Sequence, residues 1–76
     1  MKIFLFDRKA AGHNIGYDEC RAMVIVADGT GSALEYAMKN ARDEGAGAWV
    51  NIRAKVLGEA YAGVQPRIVC SDINNG

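Results

Sequence analysis

The stretch from residue 32 to residue 45, SALEYAMKNARDEG, is the only part of the chain whose apolar residues recur with the period of an α-helix. Its apolar side consists of Ala33, Leu34, Tyr36, Ala37, Met38 and Ala41. Ser32 and Glu35 have the spacing of a capping box, which predicts that the helix begins at Ser32. Gly45 is typical of the left-handed residue that follows a helix, so the sequence predicts a single helix that ends there.

The remaining apolar segments have the length and alternation of β-strands. They run over residues 1–8, 20–27, 52–58 and 67–71. With the helix between the second and third strands, the order ββαββ predicts a single α+β domain over residues 1–76. We expect one antiparallel or mixed four-stranded sheet with the helix packed on one face, in which the first two strands form an antiparallel hairpin.

The first strand is apolar on both sides, with Ile3 and Leu5 pointing one way and Phe4 and Phe6 the other. Two apolar faces are typical of a central strand. One helix covers only one face of the sheet, so the other face carries either Phe4 and Phe6 or Ile3 and Leu5. We predict that Phe4 or Phe6 lies on the uncovered face. A second copy of the chain is expected to cover that face, which predicts a homo-oligomer, most simply a dimer.

The predicted core joins the helix to the strands. We expect Leu34, Ala37, Met38 and Ala41 of the helix to pack against Val24, Val26, Ile52 and Val56. In the third strand, Arg53 and Lys55 alternate with these inward residues and are expected to face solvent. The single tryptophan, Trp49, is predicted to be buried over the end of the helix.

The charge and the cysteines exclude several classes of protein. Nine basic residues balance nine acidic ones, so the chain offers no general attraction for nucleic acid or for an acidic membrane surface. No apolar run is long enough to span a bilayer, and Asp7 and Arg8 interrupt the amino-terminal run too early for a signal peptide. Cys20 and Cys70 are isolated, which is typical of half-buried thiols in a reducing compartment. We therefore predict a cytoplasmic protein without a membrane contact.

The sequence has no catalytic, metal or cofactor signature. The turn DGTG at residues 28–31 lacks the third glycine of a dinucleotide loop and the lysine of a P-loop, so we interpret it as a plain turn. His13 lies in a glycine-containing loop and is interpreted as solvated, and with Cys20 and Cys70 it supplies at best three ligands for zinc. Asp43 and Glu44 in the last helical turn are interpreted as a solvated helix end, or else as an acidic knob that meets a basic partner.

Polar residues cluster before the second predicted strand and after the last one. These two segments can lie together at one end of the sheet, and an aromatic ring, an arginine and amide groups suit a nucleotide-like ligand as well as a protein surface. The candidate binding residues are Tyr17, Asp18, Glu19, Asn51, Arg53, Asp72, Asn74 and Asn75.

Several segments of the chain resemble a group of short uncharacterised proteins encoded by phages and prophages. The resemblance consists of GYDE at residues 16–19, VIVA at 24–27, the lone Trp49, LGEA at 57–60 and the ending SDINNG at 71–76. It covers most of the chain, but in that group an aromatic residue precedes the final Asn and Gly, where this chain has Ile73. The resemblance implies a phage accessory protein in the host cytoplasm, a kind of protein that often binds and inhibits host factors.

Three functions remain open from the sequence. The preferred one is a non-enzymatic protein that blocks or sequesters a host component, either a protein or a nucleotide-like small molecule, for example as an inhibitor of host defence. A small nucleic-acid-binding regulator is disfavoured by the zero net charge. A small metal-dependent hydrolase would require the carboxylates of Asp18, Glu19 and Asp72 to meet, and it is the least favoured.

Overall fold

The computed structural model describes residues 1–61 and 63–74 and shows an α+β domain. The strands are β1 (Lys2–Asp7), β2 (Glu19–Ala27), β3 (Lys55–Glu59) and β4 (Arg67–Asn74). The helix α1 (Thr30–Lys39) follows β2, and a short 3-10 helix (Ala46–Trp49) precedes β3. The predicted order ββαββ is confirmed.

The four strands form one open sheet in the order β3-β1-β2-β4, and every neighbouring pair is antiparallel. β1 and β2 form the predicted hairpin, in which Lys2 lies opposite Ala27 and Asp7 opposite Ala22. β1 is therefore a central strand, as its two apolar faces predict. The pairing of β3 with β1 has one register shift, between Ile3 and Phe4. The pairing of β4 with β2 has two, between Cys20 and Ala22 and between Val24 and Ile25.

The two phenylalanines of β1 lie on the face of the sheet that α1 covers. Phe4 and Phe6 are 2% and 1% exposed and belong to the same buried cluster as Ala33 and Ala37 of α1. The prediction that Phe4 or Phe6 lies on the uncovered face is therefore wrong. The larger side chains go to the covered face because they lose the most apolar surface there. Ile3 and Leu5 point the other way and are half-buried.

The predicted orientation of β2 is wrong, because the opposite face of the strand packs against α1. Met23 lies opposite Phe6 and Ile25 opposite Phe4, and residues opposite each other share a face, so these two point toward α1. The prediction that Val24 and Val26 of β2 face α1 is therefore wrong. Because β2 is apolar on both faces, its alternation does not show which face is covered, and the pairing with β1 decides it.

The helix begins earlier and ends earlier than predicted. Its N-cap is Gly29, with no side-chain hydrogen bond, so the proposed capping box of Ser32 and Glu35 is wrong. The helix ends at Lys39. Its C-cap, Asn40, donates to the Tyr36 carbonyl both from Nδ2 at 2.8 Å and from its backbone N–H at 3.2 Å. Asparagine competes for backbone groups in this way, which explains the early end. Gly45 has the expected positive φ, of 78°, but it precedes the 3-10 helix.

The predicted burial of the helix is correct only in part. Ala37 is fully buried, while Leu34, Met38 and Ala41 are half-buried at the margin of the core. Trp49 is fully buried, as predicted, and its ring packs edge-to-face on Phe6 at a centroid distance of 6.4 Å. The 3-10 helix that carries Trp49 packs against α1 and closes one end of the core.

Both edge strands differ from their predicted bounds. β3 starts at Lys55, so Ile52 enters the core from the preceding connection, and Val56 is 52% exposed because it lies on an edge strand. β4 continues to Asn74, so most of the predicted polar tail is part of a paired strand. Within this pairing, Ile73 lies opposite Cys20 of β2. Asn75 lies outside the described residues.

The two cysteines differ from the half-buried thiols that the sequence predicts. Cys20 is buried and Cys70 is exposed, and both are free thiols. No helix in the described part of the chain has the length and apolar composition needed to cross a membrane.

Candidate functional site

The candidate binding residues within the described ranges lie at one end of the sheet, where β1 and β4 end and β2 and β3 begin. We call it the loop end; it comprises residues 7–19, 43–55 and 72–74. Tyr17, Asp18 and Glu19 enter β2 there, Asp72 and Asn74 leave β4, and Asn51 and Arg53 precede β3. The loop end has two separate parts, one at the β2–β4 edge and one at the β3 edge.

The segment before β2 and the end of β4 are joined by hydrogen bonds at the β2–β4 edge. The Asp18 N–H donates to the Asn74 carbonyl at 2.6 Å, and the Asn74 side chain donates to the Gly16 carbonyl at 3.2 Å. Asp18 has a positive φ of 57° and its carbonyl accepts the Asp43 N–H at 3.1 Å. The two polar segments therefore meet, but the amide nitrogen of Asn74 is already used inside the protein.

Asp72 is paired with an arginine that the sequence analysis missed. Arg21 donates two hydrogen bonds to its carboxylate, at 2.8 and 3.2 Å, across the edge of the sheet. These hydrogen bonds lower the pKa of Asp72. Because β2 and β4 are antiparallel, this pair is set by strand register, which the sequence alone does not fix. The charge of Asp72 is thus neutralised within the protein.

Glu19 is paired with a buried cation, Arg8. The Arg8 Nη1 donates to Glu19 Oε1 at 3.1 Å and to the Cys20 carbonyl at 2.9 Å, and its Nε donates to His13 Nδ1 at 3.3 Å. The guanidinium also lies 5.8 Å from the centroid of the Trp49 ring, within the range of a cation–π interaction. Arg8 is 5% exposed, so its role is to hold the loop end together.

Glu44 is a structural carboxylate and not an acidic knob. Its Oε1 accepts the Cys20 N–H and its Oε2 accepts the Trp49 indole N–H, each at 2.8 Å. Partial burial acts to raise the pKa of Glu44, but the hydrogen bonds from Cys20 and Trp49 outweigh it and the pKa is lowered. Burial first, and then the charge of Glu44, raise the pKa of the Cys20 thiol, so this thiol stays protonated. Neither Asp43 nor Glu44 belongs to α1.

A groove of about 360 Å³ lies at the β3 edge of the loop end. We call it the β1–β3 groove. Arg53, Lys55 and Asp7 are its charged lining, and Leu5 and Ile52 contribute to its apolar floor. Arg53 and Lys55 are exposed, and within residues 1–61 and 63–74 neither forms an ion pair. Arg53 is the predicted binding residue that lines this groove.

Tyr17 and Arg53 do not form one cavity. Tyr17 is 74% exposed beside the β2–β4 edge, whereas Arg53 lies at the β3 edge. Neighbouring strands are about 4.8 Å apart, so the two edges of a four-stranded sheet are separated by about 14 Å. Asn51 is exposed on the connection after the 3-10 helix and does not line the groove either.

A second concavity, of about 270 Å³, lies at the opposite end of the sheet, between α1 and the turn before β4. Its charged lining consists of Asp28, Glu35 and Lys39, so carboxylates outnumber cations there. The β1–β3 groove has the reverse balance, with two cations and one carboxylate. The two concavities therefore favour ligands of opposite charge.

No three His, Cys, Asp or Glu side chains come close enough to hold a metal ion in the part of the chain that the structure describes. Comparison with known proteins gives no match to any protein-family model, to any curated protein or to any solved structure.

Proposed function

We propose that this protein is a small non-enzymatic binding protein that captures an anionic, nucleotide-like small molecule in the β1–β3 groove. As a phage-type accessory protein, it would sequester a host component by this binding, for example a nucleotide that serves host defence. The volume of the groove, about 360 Å³, suits a small molecule better than a protein surface.

The observation that carries the proposal is the unpaired state of the two groove cations. Arg53 and Lys55 line the same groove and have no ion-pair partner in the described chain. At the other edge of the loop end, by contrast, Arg21 is held by Asp72. Exposed cations without a partner are not required for folding, so their charge is available to a ligand.

The size and lining of the groove suit a nucleotide. Small-molecule sites commonly enclose about 300–1,000 Å³, and this groove lies at the lower end of that range. An arginine binds phosphate through two parallel hydrogen bonds, while lysine acts as a point charge. Leu5 and Ile52 provide an apolar surface on which a base can rest.

We also propose that the protein is a homodimer. The surface between the two copies would be the face of the sheet opposite α1, without Phe4 and Phe6. The face opposite α1 carries Ile3, Leu5 and Val24, which are half-buried side chains from the two central strands. We call it the open face. α1 packs on the opposite side, so a second copy would cover Ile3 and Val24 of this face. Leu5 lines the groove, so the groove would lie at the margin of the dimer contact and the second copy beside the ligand.

Titration calorimetry with adenosine diphosphate tests the proposed function. We expect Arg53→Ala to weaken binding at least tenfold, because a charge-assisted contact to phosphate is lost. Arg42→Ala is the matched control, since Arg42 is equally an exposed arginine but lies outside the groove, and it should change the affinity less than twofold. Equal affinity of the two variants, or no binding by the parent protein at millimolar ligand, would refute the proposal.

A further inference from the structure

We propose that Asp7 makes the β1–β3 groove selective for anions that carry vicinal hydroxyl groups, so that a ribonucleotide binds in preference to the corresponding dideoxynucleotide. This inference rests on the proposed function of the groove. It adds a determinant of specificity to that function.

The strand register places Asp7 on the groove side of β1. Asp7 and Leu5 are two residues apart, so they point to the same face of the sheet, and Leu5 lies opposite Lys55 of β3. Two residues of strand span about 6.6 Å, which separates the Asp7 backbone from the Leu5–Lys55 pair. Asp7 thus lines the same groove as Arg53 and Lys55, about two strand residues from the Leu5–Lys55 pair.

The hydrogen bonds of Asp7 leave most of its carboxylate free. Its Oδ1 accepts the Ala10 N–H at 3.1 Å, in the turn that follows β1. An ionised carboxylate has about four acceptor positions, so the remaining ones can accept hydrogen bonds from a ligand. In the described chain, neither Arg53 nor Lys55 lies within 4.0 Å of the Asp7 carboxylate, so Asp7 does not neutralise them.

A carboxylate that lines the groove together with two cations has opposite effects on different ligands. It repels a bare anion, which weakens the attraction that Arg53 and Lys55 supply. It accepts hydrogen bonds from hydroxyl groups, and a vicinal diol can donate to both of its oxygens. A ligand that carries phosphate at one end and a ribose diol at the other satisfies all three charged groups of the groove.

The inference is tested with three probes of matched chemistry: adenosine diphosphate, its 2′,3′-dideoxy analogue and inorganic pyrophosphate. For the parent protein we expect adenosine diphosphate to bind at least tenfold more tightly than the dideoxy analogue. This comparison requires no variant, so it does not depend on how well a mutant folds. Equal affinity for the two nucleotides would overturn the role of Asp7 while leaving the proposed function intact.

Asp7→Asn gives the second measurement. Asparagine keeps an Oδ1 acceptor for the Ala10 N–H but removes the negative charge. We expect the preference for the diol to fall at least fivefold and pyrophosphate binding to become about threefold tighter, as the repulsion is lost. A uniform change for all three probes would show that Asp7 acts only on the general charge and would refute the inference. If no probe binds the parent protein, the proposed function fails and the inference fails with it.

Discussion

The Glu44 carboxylate accepts the indole N–H of Trp49 at 2.8 Å, only five residues along the chain. Its other oxygen accepts the backbone N–H of Cys20, so one side chain connects the segment after α1 to both the core and β2. Glu44 therefore stabilises the loop end, because the groove and the β2–β4 edge both depend on the position of the segment after α1.

Loss of the Glu44 carboxylate is expected to destabilise the protein. Glu44→Ala leaves the Trp49 indole N–H and the Cys20 N–H without their acceptor, and unsatisfied donors of this kind cost about 1–3 kcal/mol. Chemical denaturation measures this free energy of unfolding. Asp43→Ala removes the neighbouring, exposed carboxylate and should change stability by no more than about 0.5 kcal/mol. Similar losses in the two variants would contradict this role of Glu44.

The same carboxylate predicts an acid-sensitive stability. The pKa of Glu44 in the folded protein lies below its ordinary value of 4.5, so the unfolded chain binds the proton more readily. Its contribution is therefore complete above about pH 4.5 and is lost as the pH falls through the lowered pKa. Melting temperatures of the parent and of Glu44→Gln, compared from pH 7 to pH 3, test this. We expect their difference to shrink at acid pH; a constant difference would argue against it.

We expect the loss of stability on a core substitution to follow the burial of the side chain and not its place in the helical pattern. Phe6 is 1% exposed and packs on Trp49, so Phe6→Ala is expected to cost about 3–5 kcal/mol. Leu34 is only half-buried at the margin of the core, so Leu34→Ala should cost about 1–2 kcal/mol. Denaturation curves of both variants provide the comparison. A Leu34→Ala cost as large as that of Phe6→Ala would mean that α1 packs differently from the arrangement described.

The homodimer predicts a specific effect of substitution on the open face. We expect the parent, whose chain has a mass of 8.2 kDa, to sediment as a dimer at micromolar concentration. Val24→Lys places a charge in the centre of the open face and should produce a monomer. Val50→Lys is the control, because Val50 is 51% exposed on the connection after the 3-10 helix. Sedimentation of the parent protein as a monomer would refute the proposed homodimer. It would not affect the proposal that the groove binds a ligand.

Tyr17 and Arg53 should have different effects on ligand binding. Tyr17 lies outside the groove, so Tyr17→Ala is expected to change the affinity for adenosine diphosphate less than twofold. Its ring is 74% exposed, so the melting temperature should also change little. A tenfold loss of affinity on Tyr17→Ala would show that the ligand reaches the β2–β4 edge.

The sequence predicted those features that depend on local patterns. The alternation in β1, the central position of this strand and the burial of Trp49 follow from local apolarity and were all found. The choice between Met23 and Val24 for the covered face was not predictable, because β2 is apolar on both sides and only its pairing with β1 distinguishes them.

The site was less predictable because its contacts join distant residues. Arg21 and Asp72 are 51 positions apart, and their pairing depends on strand order. Arg8 is the last residue of the first predicted strand, and only the fold brings its guanidinium to the Trp49 ring. The one local signal was the alternation of Ile52, Arg53 and Ala54, which indicated that Arg53 is not part of the core.

The hydrogen bond between Asn74 and Gly16 joins residues 58 positions apart. Contacts of this separation close a long loop, and so do the pairs of β1 with β3, such as Lys2 with Glu59. Both edge strands are therefore expected to dock after the β1–β2 hairpin has formed. This order of folding also creates a risk of aggregation in the cell. Until β4 arrives, β2 presents an unpaired edge, which is the state in which a nascent chain is most exposed to aggregation.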